Sequence, residues 1–99
     1  MYRGTTPELK FELPFNASEL TKISVAFEQE GKVIIEKTLA DCELSGQTVT
    51  VKLSEADTLK FNHNAKLNMQ LRCGIGDKRI ASDIICTSVG RILKEGELQ

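Results

Sequence analysis

The sequence has no tryptophan, one histidine and two prolines, and only 5% of its residues are aromatic. The aromatic residues are Tyr2, Phe11, Phe15, Phe27 and Phe61. A glycoside hydrolase needs paired carboxylates in a cleft with sugar-stacking rings, whereas the acidic residues here are scattered along the chain. No apolar run reaches the roughly 18 residues of a membrane-spanning helix, and the first residues contain no apolar signal-peptide segment. We therefore expect the protein to be expressed in the cytoplasm and not to associate with membranes.

An excess of one charge sign is also missing, because 13 basic residues face 14 acidic ones and the net charge is -1. Nucleic acids and anionic membranes attract proteins through basic patches, so we expect neither as a partner. The length of 99 residues predicts a single domain over residues 1–99. A domain of this size can bury one modest core without a metal or a disulfide.

The cysteines are Cys42, Cys73 and Cys86. An odd number of cysteines without a signal peptide indicates reduced thiols. If residues 67–73 and 80–86 form a hairpin, Cys73 lies near the turn and Cys86 near the open end. At about 3.4 Å per strand residue the two thiols are then too far apart for a disulfide. We interpret the cysteines as small, buried apolar side chains.

The dominant pattern is an alternation of apolar and polar residues with a period of two, which is typical of half-buried antiparallel strands. The alternating segments, with Ile34 as an exception, are 9–13, 23–27, 33–35, 49–53 and 67–73. Residues 80–89 are ambiguous because Ile84 and Ile85 are adjacent. Either both faces of that strand are covered or a bulge shifts its register.

Glycine-containing turns separate these segments at residues 30–32, 45–47 and 74–77, and each predicts a tight connection between neighbouring strands. Short strands that recur about every 8–12 residues are typical of a sandwich of two sheets. We therefore predict an all-β, immunoglobulin-like antiparallel β-sandwich of about six or seven strands.

One run of good helix formers, LSEADTLKF at residues 53–61, lies between two alternating segments. Ser54 can cap a helix, and Asp57 supplies the carboxylate of a capping box three residues later. Asn62 and Asn64 then provide a stop that tolerates a left-handed backbone. The run predicts one short helix near residues 55–60 that carries the chain from one sheet to the other.

No motif in the sequence indicates catalysis, a metal ion or a cofactor. A structural zinc site usually draws on close ligand pairs such as C-x₂-C, and cysteine catalysis needs a base beside the thiol. The only histidine, His63, lies in the polar turn FNHNAK. The glycines of GIGDK follow a strand but begin no helix, so they do not fit a dinucleotide-binding turn. We expect a protein that is not an enzyme, with no catalytic residues, no metal ligands and no cofactor.

The two terminal segments contain the candidate partner-binding residues. Tyr2 and Arg3 precede the first strand, and Arg91, Ile92 and Leu93 follow the last one. Apolar groups in such segments either cap their own domain or dock on a neighbouring chain. An exposed edge strand can likewise extend the sheet of a partner.

The sequence resembles a group of short proteins encoded by bacteriophages and prophages of Gram-positive bacteria. The resemblance depends on four stretches, MYRGTTPELKFELPF, KISVAFEQEGKVIIEKT, VKLSEADTLKF and MQLRCGIGDKRIASDIICTSVGRILKEG. The chain is also distantly similar to the N-terminal β-sandwich module of phage upper baseplate proteins, through its opening strand and the D-T-L-x-F crossover. Cys73 and Cys86 depart from the pattern, which has ordinary strand residues there.

The resemblance implies a non-enzymatic phage or prophage structural module, associated with the tail or baseplate, that acts through protein–protein contacts. Its expected partners are other virion proteins and further copies of itself in a homo-oligomer, and its expected locations are the host cytoplasm during expression and the virion. Two alternatives stay open: a free ligand-binding or carbohydrate-binding sandwich, and a small regulator that binds a host protein.

Overall fold

A computed structural model describes residues 1–99 and contains eight β-strands, one α-helix and two short 3-10 turns. The strands are β1 (Glu8–Glu12), β2 (Lys22–Gln29), β3 (Lys32–Thr38), β4 (Cys42–Ser45), β5 (Thr48–Lys52), β6 (Leu67–Ile75), β7 (Lys78–Ala81) and β8 (Ile85–Thr87). Helix α1 spans Glu55–Leu59, and the 3-10 turns span Ala17–Glu19 and Leu39–Asp41.

The strands form two antiparallel sheets. One has the order β1-β5-β4, and the other has the order β3-β2-β6-β7 with β8 also paired to β6. An immunoglobulin sandwich has strands A-B-E-D in one sheet and G-F-C-C′ in the other, and this chain reproduces both orders without a full strand A. The predicted all-β, immunoglobulin-like sandwich is confirmed. It has eight strands rather than six or seven, because β4 shows little alternation and the last segment is divided in two.

The core lies between the sheets and consists mainly of the inward residues of the alternating segments, with Ala17, Leu20, Phe61 and Val89 added from outside them. On β2 these are Ile23, Val25 and Phe27, which are at most 5% exposed. Phe27 contacts Phe61, which follows helix α1, with ring centroids 6.0 Å apart. Because successive strand residues point to opposite faces, the period of two in the sequence is itself the reason that this set of side chains is buried.

The two irregular strand segments have local explanations. The register between β2 and β3 shifts so that Phe27 pairs with Ile35 and Glu28 with Val33. Ile34 is therefore the extra residue of a bulge, which accounts for its exception to the alternation. The prediction that Val33 shares the phase of Ile35 is wrong, because the bulge lies between them and Val33 is 56% exposed. The β2–β3 turn consists of Glu30 and Gly31, both with positive φ, 54° and 80°, as a two-residue type I′ hairpin requires.

The last segment is interrupted between β7 and β8. Ser82 donates its backbone N–H to the carbonyl of Leu71 at 2.8 Å, and its hydroxyl accepts from the N–H of Leu71 at 3.0 Å. Leu71 thus bonds to both the backbone N–H and the hydroxyl of Ser82. The chain resumes pairing with β6 at Ile85, in a register shifted from that of β7. Of the two alternatives for residues 80–89, the register shift is the one observed.

The predicted positions of the hairpin cysteines are confirmed, but their predicted burial is only partly so. Cys73 pairs with Ile80 near the turn, and Cys86 pairs with Asn68 near the open end. All three cysteines are free. Burial raises the pKa of the Cys73 thiol, as expected for an apolar side chain. Cys86 is exposed because its side chain alternates to the outer face of the sheet, so its interpretation as a buried residue is wrong.

Helix α1 has the predicted start but a different end. Ser54 accepts from the N–H of Asp57 at 3.0 Å, and the Asp57 carboxylate accepts from the N–H of Ser54 at 2.9 Å, which completes the capping box. The prediction of a left-handed stop at Asn62 or Asn64 is wrong, because Glu30 is the one residue other than glycine with a positive φ. Instead, the Asn62 side chain accepts from the N–H of Asn64 at 2.8 Å and closes the loop.

Asp57 also connects the helix to β3, through an ion pair with Lys37 at 2.9 Å in which the two side chains are 14% and 20% exposed. Burial opposes ionisation of Asp57, but hydrogen bonds from Ser54 and Lys37 outweigh it and hold the pKa of Asp57 below its ordinary value of 3.8. The unfolded chain therefore binds more protons in acid. The stabilisation is complete above the ordinary pKa and is lost as the pH falls through the lower folded value.

We expect the urea concentration at the unfolding midpoint to decrease as the pH is lowered below about 4. Asp57→Asn should make this pH dependence shallower. Urea unfolding between about pH 2 and pH 6 measures this. Glu43→Gln is the matched control, because Glu43 pairs with Lys52 in the open, with side chains 69% and 57% exposed. An equal change of slope in both variants would show that Asp57 has no special role.

Candidate interaction surface

The two ends of the chain lie side by side. Tyr2 and Gly90 form an isolated parallel bridge, in which the N–H of Arg3 donates to the carbonyl of Gly90 at 3.1 Å and the N–H of Gly90 donates to the carbonyl of Met1 at 2.7 Å. The N-terminal ammonium also donates to the carbonyl of Ser88 at 3.2 Å. We call residues 1–4 and 88–93 the terminal surface.

Tyr2 remains available to a partner although its ring is braced. A side chain at Gly90 would begin 2.4 Å from the Tyr2 ring, so the ring lies directly over the glycine. The residue is nevertheless 63% exposed. The glycine thus gives the ring a flat support on one side and leaves the other side open. Because the ring is already held, a partner that binds it would restrict little further side-chain freedom.

Arg3, in contrast, is engaged within the chain. Its guanidinium donates to the carbonyl of Phe61 at 2.7 Å and to the carbonyl of Leu59 at 2.8 Å, and it forms an ion pair with Glu95. The Arg3 side chain is only 15% exposed. Because the last carbonyls of a helix have no partner within the helix, Arg3 caps the end of α1. Each of its three guanidinium nitrogens thus has a partner within the chain.

The C-terminal candidates are divided in the same way. Ile92 is half-buried and lies over Gly4, where a side chain would begin 3.2 Å from its Cδ1 atom. Arg91 is exposed, and Leu93 is 92% exposed. Of the five predicted partner-binding residues, Tyr2, Arg91 and Leu93 face solvent, while Arg3 and Ile92 hold the terminal surface together.

The structure adds an open sheet edge that the sequence did not identify. Strand β1 pairs with β5 on one side and with no strand on the other. Leu13 donates to Gln47, and Leu53 donates to Pro7, at the two ends of this pairing. Hydrogen-bonded pairs alternate along an antiparallel ladder, so the odd-numbered residues of β1 bond to β5. The N–H and C=O groups of Glu8, Lys10 and Glu12 therefore point outward along the open edge.

An apolar groove lies beside this edge, in the gap between β1 of one sheet and β8 of the other. Its volume is about 340 Å³, and the residues that line it are Met1, Pro7, Leu9, Lys10, Phe11, Met69, Ile85 and Thr87. Ile85 is 46% exposed there, and Leu9 is half-buried. The sandwich is thus incompletely covered along the side where its strand A is missing.

A second cavity, of about 280 Å³, lies on the outer face of the five-stranded sheet and has Lys22, Arg72 and Arg79 on its rim. Its floor is Gly74, over which the Arg79 guanidinium lies 2.9 Å from the position of a side chain. None of the three cations forms an ion pair. All three residues are exposed, however, and the Arg79 guanidinium already donates to the carbonyls of Gly76 and Lys78 at 3.0 Å, so the cavity offers no buried coordination site for an anion.

Clusters of reactive side chains contribute little to either surface. No group of three or more His, Cys, Asp or Glu side chains is placed to hold a metal ion. His63 is exposed in the loop after α1. The one α-helix has five residues, too few to cross a bilayer. What the described geometry offers is contact area: the terminal surface, and the open edge with its groove.

Comparison with known proteins identifies the fold and no family. Neither a protein-family model nor a curated protein matches the chain. Among solved structures it is similar to the immunoglobulin-like domain of mouse leukocyte-associated immunoglobulin-like receptor 1, described as a strand-swapped dimer. The TM-score is 0.50 at 13% identity, over 94% of this chain and 85% of the mouse chain. At this identity the similarity establishes a shared immunoglobulin-like architecture, and function has to be argued from the surface.

Proposed function

We propose that the protein is a non-enzymatic structural module of a phage or prophage, associated with the tail or baseplate, that acts by protein–protein contact in a symmetric assembly. The resemblance of its four stretches to phage-encoded proteins supports the phage origin. The geometry supports the mode of action, because the exposed groups with fixed positions are backbone groups and apolar side chains rather than reactive ones.

The observation that carries the proposal is the open edge of β1 beside the apolar groove. An unpaired edge is a template for another strand, and main-chain hydrogen bonds supply affinity when a sheet is extended in this way. Leu9 and Ile85 are exposed or half-exposed beside it, so that a contact here would also remove apolar area from water. Tyr2, Arg91 and Leu93 of the terminal surface provide a second contact area.

Mass spectrometry of phage particles induced from the host and purified tests the proposal directly. We expect the chain in the particle, in a copy number that is a multiple of about three or six, since tail and baseplate components occupy rings of closed symmetry. The matched control is the lysate of the same culture after the particles are removed. An abundant protein in that lysate, with none in the particle, contradicts a structural role in the virion and favours a regulator that binds a host protein.

A further inference from the structure

The open edge of β1 has a charge pattern that restricts which strand can pair with it. Glu8, Lys10 and Glu12 supply both the outward backbone groups and the side chains of the solvent face, and all three are exposed. The edge therefore presents negative, positive and negative charge in sequence. Opposite charges directly across a strand pair are favourable and like charges are unfavourable, so a complementary strand needs the reverse order at the same spacing.

A second copy of β1 meets this requirement in an antiparallel arrangement. Centring the pair on Lys10 fails, because Lys10 then faces Lys10 and each Glu8 faces a Glu12. A shift by two residues keeps the outward backbone groups opposite one another. Depending on the direction of the shift, Lys10 of each copy lies opposite Glu8 or opposite Glu12 of the other copy. The two-fold symmetry then forms the same charge pair twice.

Two observations favour Glu8 over Glu12. The Glu12 carboxylate already accepts from the Thr48 hydroxyl at 2.8 Å, whereas that of Glu8 has no hydrogen bond or ion pair. In addition, the two-fold axis of the Glu8 register passes beside Leu9, which is half-buried at the groove. The axis of the other register passes beside Phe11, which is only 8% exposed and gains little from a contact.

We propose that two copies of the chain associate through antiparallel β1–β1 pairing, with Lys10 of each copy opposite Glu8 of the other. The three-stranded sheets of the two copies then form one continuous sheet, and Leu9 and Ile85 are covered on both sides of the axis. Such a contact is isologous and closes at the dimer. This inference depends on the proposed function, protein–protein contact, and names the partner as a second copy.

Charge exchange tests both the contact and its register. Lys10→Glu places two carboxylates opposite each other in each pair, and Glu8→Lys places two ammonium groups there, so each variant alone repels itself twice across the axis. We expect each to weaken dimerisation about tenfold or more, measured by sedimentation equilibrium up to about 1 mM protein. Mixing the two variants in equal amounts restores both opposite-charge pairs. We therefore expect the mixture to form a heterodimer of wild-type affinity.

Glu12→Lys is the matched control, because it changes the same charge on the same strand outside the proposed pairs. All these side chains are exposed, and far-UV circular dichroism checks that each variant is folded. A wild-type chain that remains monomeric at the highest concentration overturns the proposal, as does a mixture that fails to dimerise. If Glu12→Lys has the largest effect, the register is wrong. A monomeric chain that is present in purified particles contradicts this dimer but leaves the structural role in the virion intact.

Discussion

Replacing Gln29 with leucine is expected to lower the free energy of unfolding by about 2–3 kcal/mol, although the change adds apolar surface to the core. Gln29 is only 5% exposed. Its amide group donates to the carbonyls of Asn62 at 2.7 Å and Ala65 at 3.1 Å, and its oxygen accepts from the N–H of Asn62 at 2.8 Å. Leucine fills a similar volume, so the loss measures three backbone groups that are left without a partner.

Gln29→Glu gives the same prediction a pH dependence. A carboxylate at this position faces the carbonyl oxygens of Asn62 and Ala65, which repel it, so the folded pKa of the introduced glutamate is raised above its ordinary value of about 4.3. The folded state then binds more protons than the unfolded state. Stability is therefore highest below the ordinary pKa and is lost as the pH rises through the folded value.

Urea unfolding of both variants between about pH 4 and pH 7 measures these effects. Gln70→Leu is the matched control, because Gln70 is half-buried and makes one hydrogen bond, to the carbonyl of Ser82 at 3.0 Å. We expect it to cost about 1 kcal/mol. The prediction is contradicted if Gln29→Leu is no more destabilising than this control, or if Gln29→Glu has a flat pH profile. Either result means that water bonds to the backbone groups of Asn62 and Ala65 when Gln29 is absent.

The parts of the fold that the sequence predicted are those with a local signature. Alternation identified β1, β2, β3, β5 and β6, because each buries one face. A capping box identified α1, because its partners are three residues apart. Strand β4 was missed because it has only four residues, and its inward pair, Cys42 and Leu44, is half-buried. Its presence was indirectly indicated by the turn at residues 45–47.

The contacts that close the structure had weaker signatures or none. Gln29 continues the inward phase of Ile23, Val25 and Phe27, and a polar residue at such a position was an available sign of a buried hydrogen-bond network. Arg3 was predicted to face a partner, whereas it bonds to backbone carbonyls of Leu59 and Phe61. Backbone acceptors belong to every residue, so no sequence pattern distinguishes these two from the rest.

The open edge illustrates a different limit. The alternating charges of Glu8, Lys10 and Glu12 are visible in the sequence, but their meaning depends on whether β1 lies at an edge or between two strands. That is decided by the path of residues 1–5, in which Met1 and Arg3 bond to Gly90 and Thr5 bonds to Thr58, rather than to β1. Edge position is thus a property of the topology, and a short segment outside β1 determines it.

The same N-terminal segment is the subject of the second large prediction. Thr58 is fully buried, and its hydroxyl donates to the carbonyl of Thr5 at 2.8 Å while accepting from the N–H of Thr5 at 3.0 Å. Thr58→Val keeps the shape of the side chain and removes the hydroxyl. Both backbone groups of Thr5 then lose their partner, and we expect a loss of about 2 kcal/mol in the free energy of unfolding.

Hydrogen exchange distinguishes this local release from general destabilisation. The N–H groups of Thr5 and Arg3 are bonded to Thr58 and Gly90 respectively, so both should exchange faster in Thr58→Val, while amides in the centre of β6 lose protection only in proportion to global stability. Thr58→Ser is the control, because it keeps the hydroxyl and should retain protection at Thr5. If Thr5 and Arg3 lose no more protection than β6, the Thr58 hydroxyl does not hold the N-terminal segment in place. If they lose more, the position of Tyr2 on the terminal surface depends on one buried hydroxyl, since Arg3 and Thr5 are what hold that segment between α1 and the end of the chain.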